Sequence, residues 1–238
     1  MTGMPPGGAV SSPGAFLWYN QGMFVRVMSY FFIITILLEG ISFGDVINLP
    51  APKSRGKVTV EEAVQSRRSY REFHPNELNQ EQISQLLWSG QGITDNDFDL
   101  RAAPSAGALF PLQLLLSKKD GLYRYVPQGH KLLKMSGEDK RPSLVRAALG
   151  QKFLGDAPCV VVITALFDKS RSKYGMRGDR YAFMEAGHAA ENICLQAVAL
   201  GLGSVVVGSF WDNAIAAALE LPAGETPVYM IPVGYIKQ

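Results

Sequence analysis

The sequence is poor in the side chains that build thiol and metal sites. It contains 2 cysteines and 3 histidines among 238 residues. Cys159 and Cys194 lie in apolar segments, where a free thiol is usually a small buried hydrophobe, and neither indicates a disulfide framework or a zinc site. His74, His130 and His188 are too scattered along the chain to indicate a bound metal ion. We therefore predict no metal site.

An excess of charge of one sign is also lacking. Lysine and arginine total 23 against 21 aspartate and glutamate residues, the net charge is +2, and no long basic run occurs. Binding a nucleic-acid backbone requires a concentrated basic surface, so nucleic acid is not an expected partner. The hydrophobic content of 47% instead fits one globular domain of about 100 to 200 residues plus a remainder.

Several catalytic motifs are missing from the chain. It has no Walker loop, no G-x-S-x-G and no H-E-x-x-H. The stretch GLGSVVVG contains glycines at positions 201, 203 and 208, but these follow a predicted helix and open a predicted strand. A dinucleotide fingerprint has the opposite order, strand before helix, and that interpretation is rejected.

The remainder outside the domain lies at the N-terminus. In the segment MFVRVMSYFFIITILLEGISFG, Arg26 supplies a positive charge, Val27–Leu38 supply an apolar core, and SFG supplies small residues at a cleavage site. Glu39 ends the apolar run well short of the about 20 residues that a membrane span needs. We predict a signal peptide cleaved before Asp45, with an uncleaved membrane anchor as the alternative.

This leader sets the predicted domain organisation and location. Residues 1–44 form the leader, with translation predicted to begin at Met23, and residues 45–238 form the functional domain. The protein is then exported to the periplasm or the exterior, or anchored to a membrane if the leader stays uncleaved. It is cytoplasmic if the segment is not an export signal.

Periodicity and capping residues predict mixed helices and strands. Thr59 with Glu62, and Asn79 with Gln82, have the spacing of capping boxes. The predicted helices cover 59–67, 79–89, 142–149, 180–200 and 212–219; the predicted strands cover 112–117, 122–126, 159–165, 204–207 and 228–233. Because helices and hairpin strands mix irregularly, the predicted class is α+β rather than a regular βαβ array.

The stretch QSRRSYREFHP concentrates guanidinium groups after the first predicted helix. Arg67, Arg68 and Arg71 would repel one another unless an anion lies between them, and the planar fork of arginine matches phosphate oxygens. Ser69 adds a hydroxyl donor. We predict a phosphate-bearing ligand here; the alternative is that these cations only offset the partial negative charge at a helix C-terminus.

Two further stretches could contribute to a site. In RAAPSAGALFP, a serine and a glycine in a loop leave backbone amides free to approach a planar ligand, although the stretch could equally be an ordinary loop. In SKYGMRGDRY, Lys173 and Tyr174 are adjacent groups that a pocket could use as acid or base, although by default they are surface residues.

Taken in order, the motifs of the chain resemble those of the FMN-dependent nitroreductase family, and within it the SagB-type branch of azoline dehydrogenases. The matching stretches are EEAVQSRRSYREF, LLWSGQGIT, RAAPSAGALFPLQ, GLYRYVPQGHKL, LGQKFLGDAPCVVVITA, the run KYGMRGDRY to VVVGSF, and the terminal IPVG. Nearly all of residues 45–238 is covered.

The resemblance implies particular site residues. The FMN phosphate and ribityl chain would be held by Arg67, Arg68, Ser69 and Arg71, with Lys237 as a weaker candidate near the C-terminus. The stretch that covers the flavin from the neighbouring subunit would be Pro104, Ser105, Ala106 and Gly107, and the backbone that passes the ring near N5 would be Val207, Gly208 and Ser209. Lys173 and Tyr174 would be catalytic, taking a proton as a hydride leaves for the flavin.

The resemblance also implies a fold and an activity. The fold would be a three-layer sandwich, a mainly antiparallel sheet flanked by helices, in an intertwined homodimer; the small residues of helix 180–200 fit such an interface. The activity would be hydride transfer between flavin N5 and a small organic or peptide-derived, azoline-like substrate. Two alternatives stay open: a nitro- or quinone-reductase with NAD(P)H as electron donor, and a non-catalytic flavin-binding protein.

Overall fold

The computed structural model describes residues 45–237. The predicted leader, its cleavage site up to residue 44 and the predicted start at Met23 lie outside this range. Within the described range, no helix is both long enough and apolar enough to cross a membrane.

A seven-stranded sheet forms the centre of the fold. Its strands are β1 Val46–Asn48, β4 Leu112–Lys118, β5 Gly121–Val126, β6 Lys131–Ser136, β7 Cys159–Leu166, β8 Gly203–Ser204 and β9 Glu225–Gly234. They lie in the order β1-β6-β5-β4-β7-β9-β8, and every pairing between them is antiparallel, as predicted. A separate hairpin pairs β2 Ile93–Asp95 with β3 Leu100–Arg101.

Seven helices accompany the sheet in the described range. They are α1 Val60–Ser66, α2 Gln80–Gln91, α3 Arg141–Ala147, α4 Phe153–Asp156, α5 Phe167–Tyr174, α6 Arg177–Ala199 and α7 Asp212–Ala218. A short 3-10 turn, Ala106–Ala108, precedes β4.

Two apolar cores lie on opposite faces of the sheet, because successive side chains of a strand point to opposite sides. In β7, Val161 and Ile163 join one core with side chains of α2 and α6, whereas Val160 and Val162 join the other with side chains of α3 and α7. The central strand is therefore buried on both faces, and the three-layer arrangement is confirmed.

Local sequence signals explain several element boundaries. Thr59 and Glu62 exchange both hydrogen bonds of a capping box at the start of α1, and Asn79 and Gln82 do the same for α2. Gly201 follows α6 with a φ of +71°, the left-handed conformation that glycine adopts most easily. These predictions are confirmed.

Other boundaries differ from the predicted ones. Strand β6 and helix α5 were not predicted. The sequence of β6, KLLKMS, does not alternate between apolar and polar residues, and that of α5, FDKSRSKY, is almost entirely polar. The strand predicted for 204–207 pairs with β9 only over Gly203–Ser204, with an isolated bridge from Val207 to Met230. Helix α6 begins three residues earlier than predicted, at Arg177.

Candidate functional site

The arginines of QSRRSYREFHP diverge as the chain leaves α1. The Arg67 Nε lies 3.5 Å from Glu191 Oε1 on α6. Arg68 Nη1 donates to the backbone oxygens of Gln65 and Arg67, at 3.0 and 2.7 Å, and so caps the end of α1. The three guanidiniums therefore do not converge on one point, and helix capping accounts for Arg68.

Backbone pairing holds the next residues against the sheet. Ser69 bridges Ser204 of β8 in parallel, and the Tyr70 N–H donates to the Ser204 oxygen at 3.0 Å. Farther along, Phe73 bridges Ile236, and the Lys237 N–H donates to the Glu72 oxygen at 3.2 Å. Segment 69–73 is thus fixed between β8 and the C-terminal residues.

A cleft with two cations results from this pairing. It has a volume of about 600 Å³ and is lined by Arg71, Glu72, Phe73, Pro75, Gly155, Asp156 and Lys237; we call it the cationic cleft. In the described part of the chain Arg71 has no carboxylate partner, and its guanidinium carbon lies 5.8 Å from the centre of the Phe153 ring. The structure therefore brings Lys237, the weakest of the predicted candidates, beside Arg71.

The stretch Val207–Ser209 leads from the sheet to the surface. Val207 is buried and pairs with Met230, whereas Gly208 and Ser209 are exposed. Gln151 Nε2 donates to the Ser209 oxygen at 2.9 Å, and Gln151 precedes α4, the helix that supplies Phe153 to Arg71. The connection before α4 therefore links Val207–Ser209 to the cationic cleft.

The loop Pro104–Phe110 has an unusual backbone. Gly107, Ala108 and Phe110 have φ values of +63°, +53° and +46°. Residues other than glycine rarely adopt this backbone conformation. Such strain persists only where the surroundings enforce it, often at functional sites. One restraint is visible: the Phe110 N–H donates to Ser105 Oγ at 2.9 Å.

Lys173 and Tyr174 meet this loop at the end of α5. A Cβ added at Gly107 would lie 2.6 Å from the Tyr174 hydroxyl and 2.8 Å from Lys173 Nζ. The Lys173 ammonium lies 5.6 Å from the centre of the Tyr174 ring, and that ring packs edge-on against Tyr181 of α6, with ring centres 5.0 Å apart. The structure thus joins two predicted groups that are distant in sequence.

A buried carboxyl group lies behind the same loop. Glu185 of α6 is 2% exposed, and its Oε1 has no hydrogen-bond partner in the described residues. Burial raises the pKa of Glu185 to about 7, against the smaller opposing effects of Ser105, Arg101 and Gln91. Sequence reasoning missed this residue, although its position between Ala182 and Ala189 on one helix face could have indicated it.

We call Ser105, Gly107, Lys173, Tyr174 and Glu185 the loop cluster. It adjoins the N-terminal half of α6, where Tyr181 lies, whereas Arg67 contacts Glu191 farther along the helix. At a rise of 1.5 Å per residue, Tyr181 and Glu191 are separated by roughly 15 Å along the helix axis. Within one chain, the loop cluster therefore lies away from Arg67.

Other features are less suited to chemistry. A second groove, of about 570 Å³, lies between the N-terminal arm, α2 and α6, and none of the predicted site residues lines it. Burial raises the pKa of the Cys159 thiol to about 12 and also raises that of Cys194, so both remain protonated apolar groups. Within residues 45–237, no cluster of three or more metal-binding side chains occurs.

Comparison with known proteins identifies the family. Residues 64–235 match the nitroreductase family model. A Methanocaldococcus jannaschii protein named as a nitroreductase is 36% identical over 197 residues, which are 80% of this chain and 98% of that protein. The chain belongs to the nitroreductase family, and is therefore an oxidoreductase by family.

A more distant relative comes from Escherichia coli. The microcin B17-processing protein McbC is 28% identical over 158 residues, which are 61% of this chain and 58% of McbC. Among solved structures, a Ralstonia eutropha protein assigned to the nitroreductases is 29% identical with a TM-score of 0.75, covering 83% of this chain and 92% of that one. The NADPH:FMN oxidoreductase of Vibrio harveyi shares the fold at 18% identity and a TM-score of 0.58, covering 75% of this chain and 68% of that one.

Proposed function

We propose that this protein is an FMN-dependent oxidoreductase that transfers a hydride between flavin N5 and a small organic or peptide-derived, azoline-like substrate. The observation that carries the proposal is the meeting of Lys173 and Tyr174 with Gly107. Two proton-transferring side chains at a strained, glycine-containing loop would form an acid–base centre for a planar ligand.

The residues present fit FMN at two places. Arg71 and Lys237 in the cationic cleft offer charge-assisted donors to a phosphate, and Arg67 could join them by leaving its 3.5 Å contact with Glu191. The exposed backbone of Gly208 and Ser209, linked to the cleft through Gln151, would accommodate the ring. When bound, FMN supplies the two-electron chemistry.

The chain's own residues would then handle the proton. Converting an azoline ring to an azole removes one hydride and one proton, and Lys173 or Tyr174 would take the proton. Similarity to the microcin B17-processing protein supports a peptide-derived substrate.

A second copy of the chain would complete the site. Within one chain, the loop cluster and Arg67 are separated by roughly 15 Å along α6. We propose that the loop residues of each site come from a partner. Apolar side chains that are free to pack on such a partner include Val60 and Val64, one turn apart on α1, and Phe183 and Met184 on α6. We propose a homodimer with two sites, to be tested by light scattering.

The test of the substrate is a double substitution, Lys173→Ala with Tyr174→Ala. We expect azoline oxidation to fall by roughly 10² to 10⁴, while flavin content and nitro reduction stay within a few-fold of the native protein. Equal loss of both activities with flavin retained would contradict the azoline assignment.

A second candidate function is NAD(P)H-dependent nitro- or quinone reduction. It is favoured by the Methanocaldococcus jannaschii relative, whose name is that of a nitroreductase and whose length the chain matches almost completely. Rapid flavin reduction by NADPH, unchanged in the double variant, together with no azoline oxidation, would support this candidate instead.

The leader remains part of the proposal. We propose that residues 1–44 export the protein or anchor it to a membrane, with FMN bound by the domain that follows. N-terminal sequencing of the native protein tests this, because a mature chain that starts at Asp45 indicates cleavage.

A further inference from the structure

Glu185 is placed where a carboxyl group is costly and has no evident structural partner. Its side chain lies on the inner face of α6 with Ala182 and Ala189, and one of its oxygens accepts no hydrogen bond in the described residues. A buried ionised carboxylate without full hydrogen bonding is strongly disfavoured. This environment favours the neutral carboxyl.

No ion pair compensates Glu185 in the described residues. Arg101 is the charged group that faces it, and Ser105 and Gln91 are its polar neighbours. Arg101 does not form an ion pair with Glu185 in the described structure; its Nη1 donates to Gln91 Oε1 at 2.8 Å, and its guanidinium carbon lies 4.7 Å from the centre of the Phe110 ring. Tyr125 and Asp99 are the other titratable groups whose charge acts on Arg101.

These contacts lead to the loop. Phe110, which stacks on Arg101, donates its N–H to Ser105 Oγ, and Ser105 lies against Glu185. Gly107, between them in sequence, is the residue that Lys173 and Tyr174 approach. On the other side, Tyr181 lies one turn before Glu185 on α6 and packs on the Tyr174 ring.

We propose that Glu185 is a positioning residue: its neutral carboxyl group fixes Ser105 and Phe110, and thereby the place where Lys173 and Tyr174 meet Gly107. The catalytic role of Lys173 and Tyr174 rests on the proposed function, whereas the effect of Glu185 on their surroundings does not.

Ionisation of Glu185 would change this arrangement. The carboxylate would attract Arg101, whose buried Nε has no hydrogen-bond partner in the described residues. A shift of the guanidinium toward Glu185 would weaken its contacts with Gln91 and Phe110. Since Phe110 holds Ser105, the loop would shift away from Lys173. Because the pKa of Glu185 is about 7, this change falls near neutral pH.

Chemical labelling of the holoprotein tests the arrangement without turnover. Lys173 and Lys169 are both exposed on α5, one turn apart, but Lys173 is the one that approaches Gly107. Acylation by an amine reagent, read by mass spectrometry as the Lys173 to Lys169 ratio, should rise about three-fold or more from roughly pH 6 to pH 8 in the native protein. The near-isosteric Glu185→Gln should hold the ratio constant, and Glu191→Gln, an exposed glutamate on the same helix, should behave as native.

Turnover of the azoline-like substrate gives the second readout. In the native protein kcat should fall as pH rises through about 7, and Glu185→Gln should lack this fall while keeping its flavin content. Ser105→Ala, which removes the hydroxyl between Glu185 and Phe110, should lower kcat at every pH.

The outcomes separate the two proposals. The positioning role is overturned if the labelling ratio has the same pH dependence in native protein and Glu185→Gln. It is also overturned if the ratio differs as expected but the pH profile of kcat is the same in the two proteins. An absence of azoline turnover in the native protein, with the labelling difference present, contradicts the proposed function but retains the link from Glu185 to Lys173. Should Glu185→Gln fail to fold, an unaltered ratio in Ser105→Ala overturns the proposal.

Discussion

The cationic cleft and the loop cluster represent two ways of building part of a site. The cleft is open: its cations Arg71 and Lys237 are exposed and are held by backbone pairing of the segments that carry them. The loop cluster rests on a buried carboxyl group and on residues with positive φ. We therefore expect that Arg71 and Lys237 can be replaced without affecting the fold, whereas changes in the loop cluster should affect stability and chemistry together.

The largest expected effect is a loss of FMN affinity on replacing the two cations of the cleft, with little change in stability. Arg71→Ala with Lys237→Ala should raise the Kd for FMN by at least about 100-fold, because two charge-assisted hydrogen bonds contribute about 3 kcal/mol or more. The free energy of unfolding of the flavin-free protein should change by less than about 0.5 kcal/mol. Fluorescence titration and chemical denaturation measure the two quantities.

The control for this prediction is Arg146→Ala, which replaces an exposed arginine on α3 whose side chain donates a hydrogen bond to Ser143. It should leave the Kd within about two-fold of native. If the double variant binds FMN with the native Kd, the cationic cleft does not hold the FMN phosphate.

The second prediction concerns the stability of the loop cluster. The pKa of Glu185 is raised from 4.5 to about 7, so the unfolded chain loses this proton at lower pH than the folded one. The contribution of Glu185 to the free energy of unfolding is fully present below pH 4.5 and is lost as pH rises through about 7. The whole change is about 3 kcal/mol.

Denaturant titrations at several pH values check this by difference. Glu185→Gln should lack the decline, so the native-minus-variant difference should change by about 3 kcal/mol across the window. The difference is needed because burial lowers the pKa of His130, which acts with the opposite sign. Parallel curves for the two proteins would show that Glu185 titrates normally and that the loop cluster is less buried than described.

A third prediction separates backbone strain from contacts. Gly107 and Gly150 both have positive φ, +63° and +77°, but a Cβ at Gly107 meets Tyr174 and Lys173, whereas one at Gly150 meets nothing within 4 Å. Alanine at either position should lower the free energy of unfolding by about 1 kcal/mol.

Only Gly107→Ala should also lower kcat for the azoline-like substrate, by about ten-fold. Steady-state kinetics of the two variants measure this contrast. Similar kcat values in both would indicate that the approach of Gly107 to the Lys173–Tyr174 pair has no part in turnover.

The smallest effect is expected at the other glutamate of α6. Glu191 contacts Arg67 at 3.5 Å and its side chain is 54% exposed, so Glu191→Gln should change the free energy of unfolding by less than about 0.5 kcal/mol. A pH-dependent difference from the native protein as large as that of Glu185→Gln, measured by denaturation, would show that the two glutamates do not differ in the way described.

Much of the fold could be predicted from local sequence. The capping pairs at Thr59 and Asn79 and the glycine after α6 act within a few residues, so their hydrogen bonds follow from sequence spacing alone. The apolar run of β7 likewise predicts a strand buried on both faces. Strand β6 and helix α5 could not be predicted, because their patterns are weak and pairing with β5 and packing on α6 stabilise them.

The candidate site divides in the same way. The sequence by itself determined the family, the cations near α1, the glycine of the loop and the adjacent Lys173 and Tyr174, because each depends on residue type and close spacing. Only the tertiary structure decided that Arg68 caps a helix while Arg71 and Lys237 line one cleft, that Lys173 and Tyr174 meet Gly107, and that Glu185 is buried. The physical reason is that direction, burial and desolvation depend on contacts between segments far apart in the chain, which residue spacing does not record.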